Sequence, residues 1–91
     1  MATYKLTPEA DEDLTDIWVY GVRKHGEQQA DAYLLGLFER FEKLAHQPYL
    51  YQAVDDVQQG YRRSVYGVNS IYYRVIEDGV EIIRILRHQD F

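Results

Sequence analysis

The 91-residue sequence contains no cysteine. This excludes a disulfide scaffold, a thiolate metal site and a cysteine nucleophile. It is also compatible with a reducing compartment, and a cytoplasmic location is expected. Proline occurs twice and glycine six times, too rarely to mark a linker between domains. No apolar run approaches the roughly 18 residues needed to span a bilayer. The opening MATYKLTPEADEDL lacks the basic start and apolar run of a secretory signal. Repeats and low-complexity tracts are absent. The expectation is a single domain over residues 1–91 with no membrane segment.

What is present is enough for a small core. The hydrophobic fraction is 46%, with Trp18, nine tyrosines and three phenylalanines. Such a composition excludes disorder. A chain of this size buries only roughly 60–65% of its unfolded surface, so few residues form its interior.

The net charge of −5 is unevenly placed. Residues 1–46 carry five Lys or Arg against nine Asp or Glu, a balance of −4. Residues 61–91 carry five arginines against four acids, a balance of +1. The last third uses arginine and no lysine. Nucleic-acid binders that work through phosphates are basic over a broad patch. The balance here argues against direct DNA binding. A local arginine cluster could still hold a protein carboxylate or a single phosphate.

The hydrophobic period assigns the elements. Ala2–Thr7 reads as a short strand with Tyr4 and Leu6 on one face. Thr7-Pro8-Glu9 is a helix start: a capping hydroxyl, a proline at the first position, then acids in the first turn. The first helix runs from Pro8 to about Lys24, with Ala10, Leu14, Ile17, Trp18 and Gly21 on its buried face. His25-Gly26 is a stop. The second helix runs from about Glu27 to His46 and buries Ala30, Tyr33, Leu34, Leu37, Phe38, Phe41, Leu44 and Ala45. Residues 48–60 read as a loop. Tyr61–Tyr66, Ser70–Glu77 and Val80–Arg87 alternate as strands and form a meander of two hairpins. The order β-α-α-β-β-β predicts an α+β fold, with a helical hairpin packed on one face of an antiparallel sheet.

Two groups of residues exceed what such a fold needs. Ile17–Val22 is apolar or aromatic almost all the way round its helix. Val19, Tyr20 and Val22 lie off the buried stripe, as do Ala32 and Leu35 on the second helix. Either the 48–60 loop covers them or a partner segment does. The second group is Arg62, Arg63, Arg74, Arg84 and Arg87 with His88 and the strand tyrosines. On neighbouring strands they could gather on one sheet face. Such a cluster could stabilise a phosphate during RNA cleavage or anchor a protein surface. Cross-strand pairing with Glu77, Glu81 and Asp90 is the structural alternative.

Other chemistry finds no footing. The acids Glu9, Asp11, Glu12, Asp13 and Asp16 read as a solvated helix face that favours the helix dipole. Metal-ligand spacing, a nucleophile elbow and a glycine-rich phosphate loop are absent. No metal or cofactor is expected.

Read together, the segments YKLTPEADEDLTDIW, HGEQQADAYLLGL, GYRRSVYGVNSIYYRV and VEIIRILRHQ resemble the ParE branch of the RelE/ParE toxin superfamily. These are the toxins of bacterial toxin–antitoxin modules, also called plasmid-stabilisation proteins. The resemblance covers nearly the whole chain. It implies a toxin that inhibits DNA gyrase by protein–protein contact and is neutralised by a ParD-like antitoxin in a hetero-oligomeric complex. It also implies candidate target contacts at Arg62, Arg63, Arg74, Arg84, Arg87 and His88, and antitoxin contacts at Val19, Tyr20, Val22, Ala32 and Leu35. RelE-like relatives are instead ribosome-dependent mRNA endonucleases whose sheet carries catalytic Lys and Arg. Here no lysine lies in that region, and no tyrosine follows Tyr73. A guanidinium with a pKa above about 12 is a poor general base. The non-enzymatic branch is therefore the expectation; an endonuclease, or a degenerate toxin that retains only antitoxin binding, are the alternatives. If the Trp18 ring is buried, Trp18→Ala should cost about 3–5 kcal/mol in a urea titration.

Overall fold

The computed structural model describes residues 2–87. The chain runs β1 (Thr3–Leu6), α1 (Pro8–His25), α2 (Glu27–His46), β2 (Gln52–Ala53), β3 (Tyr61–Tyr66), β4 (Asn69–Ile76) and β5 (Gly79–Arg87). This is the expected α+β order, with the two-residue β2 added inside the segment read as a loop. The strands form one sheet in the order β1-β5-β4-β3-β2. All neighbours are antiparallel except β1 and β5, which are parallel. A parallel pair needs a long crossover, and the helical hairpin with the meander supplies it. β5 is therefore an interior strand, where the sequence left open an edge position able to accept a partner strand.

Local chemistry accounts for the helical hairpin. The Thr7 hydroxyl accepts from the Ala10 N–H at 3.0 Å and donates to the Ile83 carbonyl at 2.7 Å. One side chain thus caps α1 and ties its start to β5. Pro8 fills the first helical position, and Arg23, Lys24 and His25 lie in the last turn, where cations are favoured. Gly26, with φ 90°, is the only residue between the helices, in a conformation that favours glycine. Its N–H goes to the Val22 carbonyl, and its carbonyl accepts from Ala30. A one-residue connection makes the hairpin tight.

Phe41, Leu37 and Leu44 on α2 are fully buried against Ile71, Tyr73, Val80, Ile82 and Ile85 of the sheet. Phe41 packs its ring 5.4 Å from Tyr4 and 5.9 Å from Phe38. Ala10 and Leu14 bring the start of α1 onto the same core. Trp18 is not part of it. The ring is half-buried, and its Nε1 donates to Asp31 on α2 at 2.7 Å. At 100° per residue Trp18 falls on the flank of the stripe, so it bridges the two helices instead of filling the centre. The cost of Trp18→Ala is correspondingly smaller than for a core ring.

β5 does not keep strict alternation. Tyr72 pairs with Arg84 and Tyr73 with Ile82, leaving Ile83 as an extra residue. This bulge shifts the parity, so that Val80, Ile82 and Ile85 all face the helices. Beyond Ile82, β1 no longer flanks β5. Thr7 continues the seal, its N–H donating to the Ile82 carbonyl at 3.1 Å. Asp13 of α1 completes it. Asp13 Oδ2 accepts from the Ile85 N–H at 2.9 Å and from Arg84 Nε at 2.8 Å, and Oδ1 accepts from Arg84 Nη2 at 3.0 Å.

Two substitutions test this framework by urea unfolding. Asp13→Ala leaves the buried Ile85 N–H without a partner and should cost about 1–3 kcal/mol. A Cβ at Gly79, whose φ is 152°, would collide with the Thr3 backbone. Gly79→Ala should cost about 1–3 kcal/mol by forcing β1 away from β5.

Candidate functional site

The two helices and the sheet do not close against each other everywhere. A groove of 790 Å³ opens where the hairpin connection meets the end of the sheet carrying the β3–β4 turn. Ile17, Tyr20 and Gly21 form its α1 wall, Ala30, Ala32 and Tyr33 its α2 wall, and Asn69, Ile85 and Arg87 its sheet side. The lining is predominantly apolar, as binding clefts are.

The 48–60 segment does not cover this region. Its Val54 N–H donates to the Tyr61 carbonyl, Arg62 Nη1 donates to the Tyr51 carbonyl, and the Tyr73 hydroxyl donates to the Pro48 carbonyl at 2.8 Å. These bonds fasten it to β3 and β4 beside the other end of α2. Burial raises the Tyr73 phenol pKa above its ordinary value, and the nearby Arg62 charge opposes that rise. Val19, Tyr20 and Leu35 remain 36%, 45% and 62% exposed.

The five residues proposed for a partner segment divide. Tyr20 and Ala32 line the groove. Val19 and Leu35 lie on adjoining exposed helix surface, while Val22 is half-buried.

The arginines do not gather on one face. Arg62 lies on the helix side of the sheet with Ser64 and Tyr66, its guanidinium 4.9 Å from the Tyr49 ring centroid. Arg63 is exposed on the opposite, outer face, opposite Tyr72, which is in turn opposite Arg84. Arg74 shares that face and forms a 2.6 Å ion pair with Glu81. Arg84 reaches round to Asp13, and this pairing raises its pKa above the ordinary value, chiefly through the hydrogen bonds. Arg87 turns into the groove, 5.3 Å from the Tyr20 ring centroid. His88 lies outside the described residues.

Comparison with known proteins places this architecture. A family model described as the ParE toxin of type II toxin–antitoxin systems, parDE, matches residues 4–90. The chain belongs to the ParE toxin family. It is 39% identical over 89 residues to Toxin ParE1 of Caulobacter vibrioides, covering 98% of this chain and 91% of that one. It is 33% identical over 87 residues to Toxin ParE1 of Mycobacterium tuberculosis, covering 94% and 88%. A solved structure from the chromosomal ParDE TA system of P. aeruginosa superposes with a TM-score of 0.82 at 23% identity, covering 98% of both chains. That likeness establishes the shared fold. The family is that of the toxin components of type II toxin–antitoxin systems. No helix among the described residues is long and apolar enough to cross a membrane.

Within this ParE-family chain, sequence reasoning missed several groove residues. Ile17 and Tyr33 read as core because they fall on the buried stripes, yet both also wall the groove. Asn69 gave no signal, since it looked like a turn residue. Arg87 was assigned to the sheet face because strict alternation hides the bulge.

An open groove wall and the exposed helix surface outside it should both tolerate polar change. Tyr20→Asp and Leu35→Asp should each shift unfolding stability by about 1 kcal/mol or less, measured in urea. A loss comparable to that of a core ring would show that these positions are shielded.

Proposed function

We propose that this ParE-family protein inhibits DNA gyrase by protein–protein contact and is neutralised by a ParD-like antitoxin whose segment fills the groove. The observation that carries the antitoxin half is the apolar groove itself, which the chain's own connecting segment leaves uncovered. A monomer gains nothing from leaving Tyr20 and Ala32 in water, whereas a helix or extended tail laid in the groove removes that surface from solvent.

The target half rests on the outer sheet face. Arg63, Tyr72 and Arg84 lie side by side across three strands, with Arg74 in the adjacent row. Arg and Tyr are favoured anchors of protein interfaces. The same arrangement disfavours phosphate cleavage. Arg74 is neutralised by Glu81, Arg84 by Asp13, and Arg62 is on the other face. A nuclease would need these cations free, and a proton acceptor that a guanidinium cannot supply. Protein binding needs only their planar donors and the tyrosine between them. Arg63, Arg74 and Arg84 on this face then serve recognition, not bond breaking.

Two assays test the two halves. The product of the neighbouring reading frame, expressed with the tagged toxin, should copurify, and Ala32→Arg should reduce that recovery at least tenfold. Purified toxin should inhibit gyrase supercoiling at micromolar concentration, with inhibition reversed by the antitoxin and weakened by Arg63→Glu. Normal supercoiling combined with transcript cleavage on translating ribosomes would replace this reading with the endonuclease one. Antitoxin capture without growth arrest would identify a degenerate toxin.

A further inference from the structure

At the sheet end of the groove two hydrogen-bond donors stand side by side with no assigned task. Arg87 and Asn69 are direct cross-strand neighbours on β5 and β4. Opposed residues in an antiparallel pair lie within about 5.5 Å, so their side chains can address one ligand. Arg87 is exposed, and no carboxylate comes within 4.0 Å of it among the described residues, whose two ion pairs involve Arg74 and Arg84. The Tyr20 ring beneath it holds the guanidinium by cation–π attraction and leaves its N–H edge available.

Asn69 is 4% exposed. Its Oδ1 lies 2.7 Å from the Tyr33 hydroxyl, which shares its one hydrogen between this oxygen and the Tyr66 carbonyl at 3.0 Å, and in this orientation Nδ2 is left as a donor. No acceptor among the described residues takes that donor. Yet Nδ2 is not sealed off: the buried unpartnered side-chain atom of this region is Ser70 Oγ, on the opposite face. Nδ2 is therefore reached from the groove that Asn69 lines. Arg87 also acts on this corner electrostatically. Burial raises the Tyr33 phenol pKa above its ordinary value, and the Arg87 charge opposes the rise.

We infer that Arg87 and the Asn69 amide form a carboxylate seat, and that the antitoxin segment in the groove docks there through an Asp or Glu side chain. This rests on the antitoxin reading of the groove and adds to it a specificity determinant. A carboxylate offers acceptors for both donors at once, and it meets a positive charge that no described carboxylate pairs. The two acids of α1 that face the groove do not fill the seat. Asp13 is saturated by Arg84 and Ile85, and among the described residues Asp16 makes no ion pair within 4.0 Å. An apolar segment without an acid would bury Arg87 uncompensated, so the seat discriminates among partners as well as holding one.

The experiment uses the antitoxin recovered by copurification, titrated against the full toxin chain. Each Asp and Glu of its groove-binding segment is changed to the corresponding amide, against wild-type toxin and against Arg87→Gln. The expected result is one acid whose loss weakens binding at least tenfold on wild-type toxin and less than twofold on R87Q. Asn69→Asp keeps the acceptor for Tyr33 but turns the donor into a second carboxylate, and should also weaken binding at least tenfold. Should N69D fold poorly in a thermal scan, the R87Q cycle alone decides, since Arg87 is a surface side chain. Additive losses at every acid overturn the seat. So does coupling confined to the antitoxin's terminal carboxylate, or a tenfold gain in affinity on Asp90→Asn of the toxin. The control is Ala32→Arg: full binding by that variant removes the groove reading itself, whereas lost binding there with additive R87Q cycles removes only the seat.

Discussion

The Asp13 carboxylate holds the molecule in register. It faces three donors, two on Arg84 and one on the Ile85 backbone, and it is almost fully buried. A buried carboxylate is tolerable only when its lone pairs are taken, and here they are. Its position is also where the sheet needs it. β1 covers the flank of β5 as far as Ile82, Thr7 covers the next two carbonyls, and Asp13 satisfies the next outward N–H. A strand, a cap residue and a helix side chain thus seal one continuous edge. Without Asp13 the end of β5 would present an open N–H to solvent or to a wandering strand.

The same contact sets the shape of the groove. Asp13 pins the first half of α1 to β5, and Leu14 is buried just beside it. Past that pin, α1 and α2 continue to the tight Gly26 connection and the sheet ends at its β3–β4 turn. Nothing among the described residues fills the wedge between them. The bulge at Ile83 contributes from the other side. It turns Ile85 inward as the groove floor and brings Arg87 onto the same face as Asn69. One extra residue in a strand therefore changes which side chains the groove presents.

Much of the fold was legible because the residues involved carry strong local signals. Thr7-Pro8 states a helix start in its capping hydroxyl and missing N–H. The 3.6-residue stripe of α2 names Leu37, Phe41 and Leu44, and all three are buried. The change to period two after Gly60 marks the meander. What was not legible depends on contacts distant in sequence. The partner of Arg84 is Asp13, 71 residues away, although nearer acids on adjacent strands were the obvious choice. The parallel pairing of β1 follows from the path of the whole chain. Trp18 illustrates the limit of the stripe argument: one position at its flank is enough to move a large ring from core to helix bridge. The groove was half visible, since Tyr20 and Ala32 stood out as surplus apolar surface, while Asn69 and Arg87 reach it only through the bulge and the turn.

The exclusive use of arginine after residue 60 now has a structural reason. Arg84 holds both oxygens of Asp13 through Nε and Nη2, a geometry that a lysine ammonium cannot reproduce. Arg62 combines a hydrogen bond to the Tyr51 carbonyl with a stack on Tyr49, and Arg87 stacks on Tyr20. Arg40 does the same from α2, lying 5.4 Å and 5.3 Å from the Tyr51 and Tyr66 ring centroids while donating to Ser64 Oγ. Each site uses the guanidinium plane as well as its charge, and the tyrosines that made the composition unusual are the surfaces on which those planes rest. Arginine count is consequently a poor measure of free positive charge in this fold. Most of the guanidinium groups already have partners within the chain, and the surface offered to other molecules is defined by the few whose planar edge stays open.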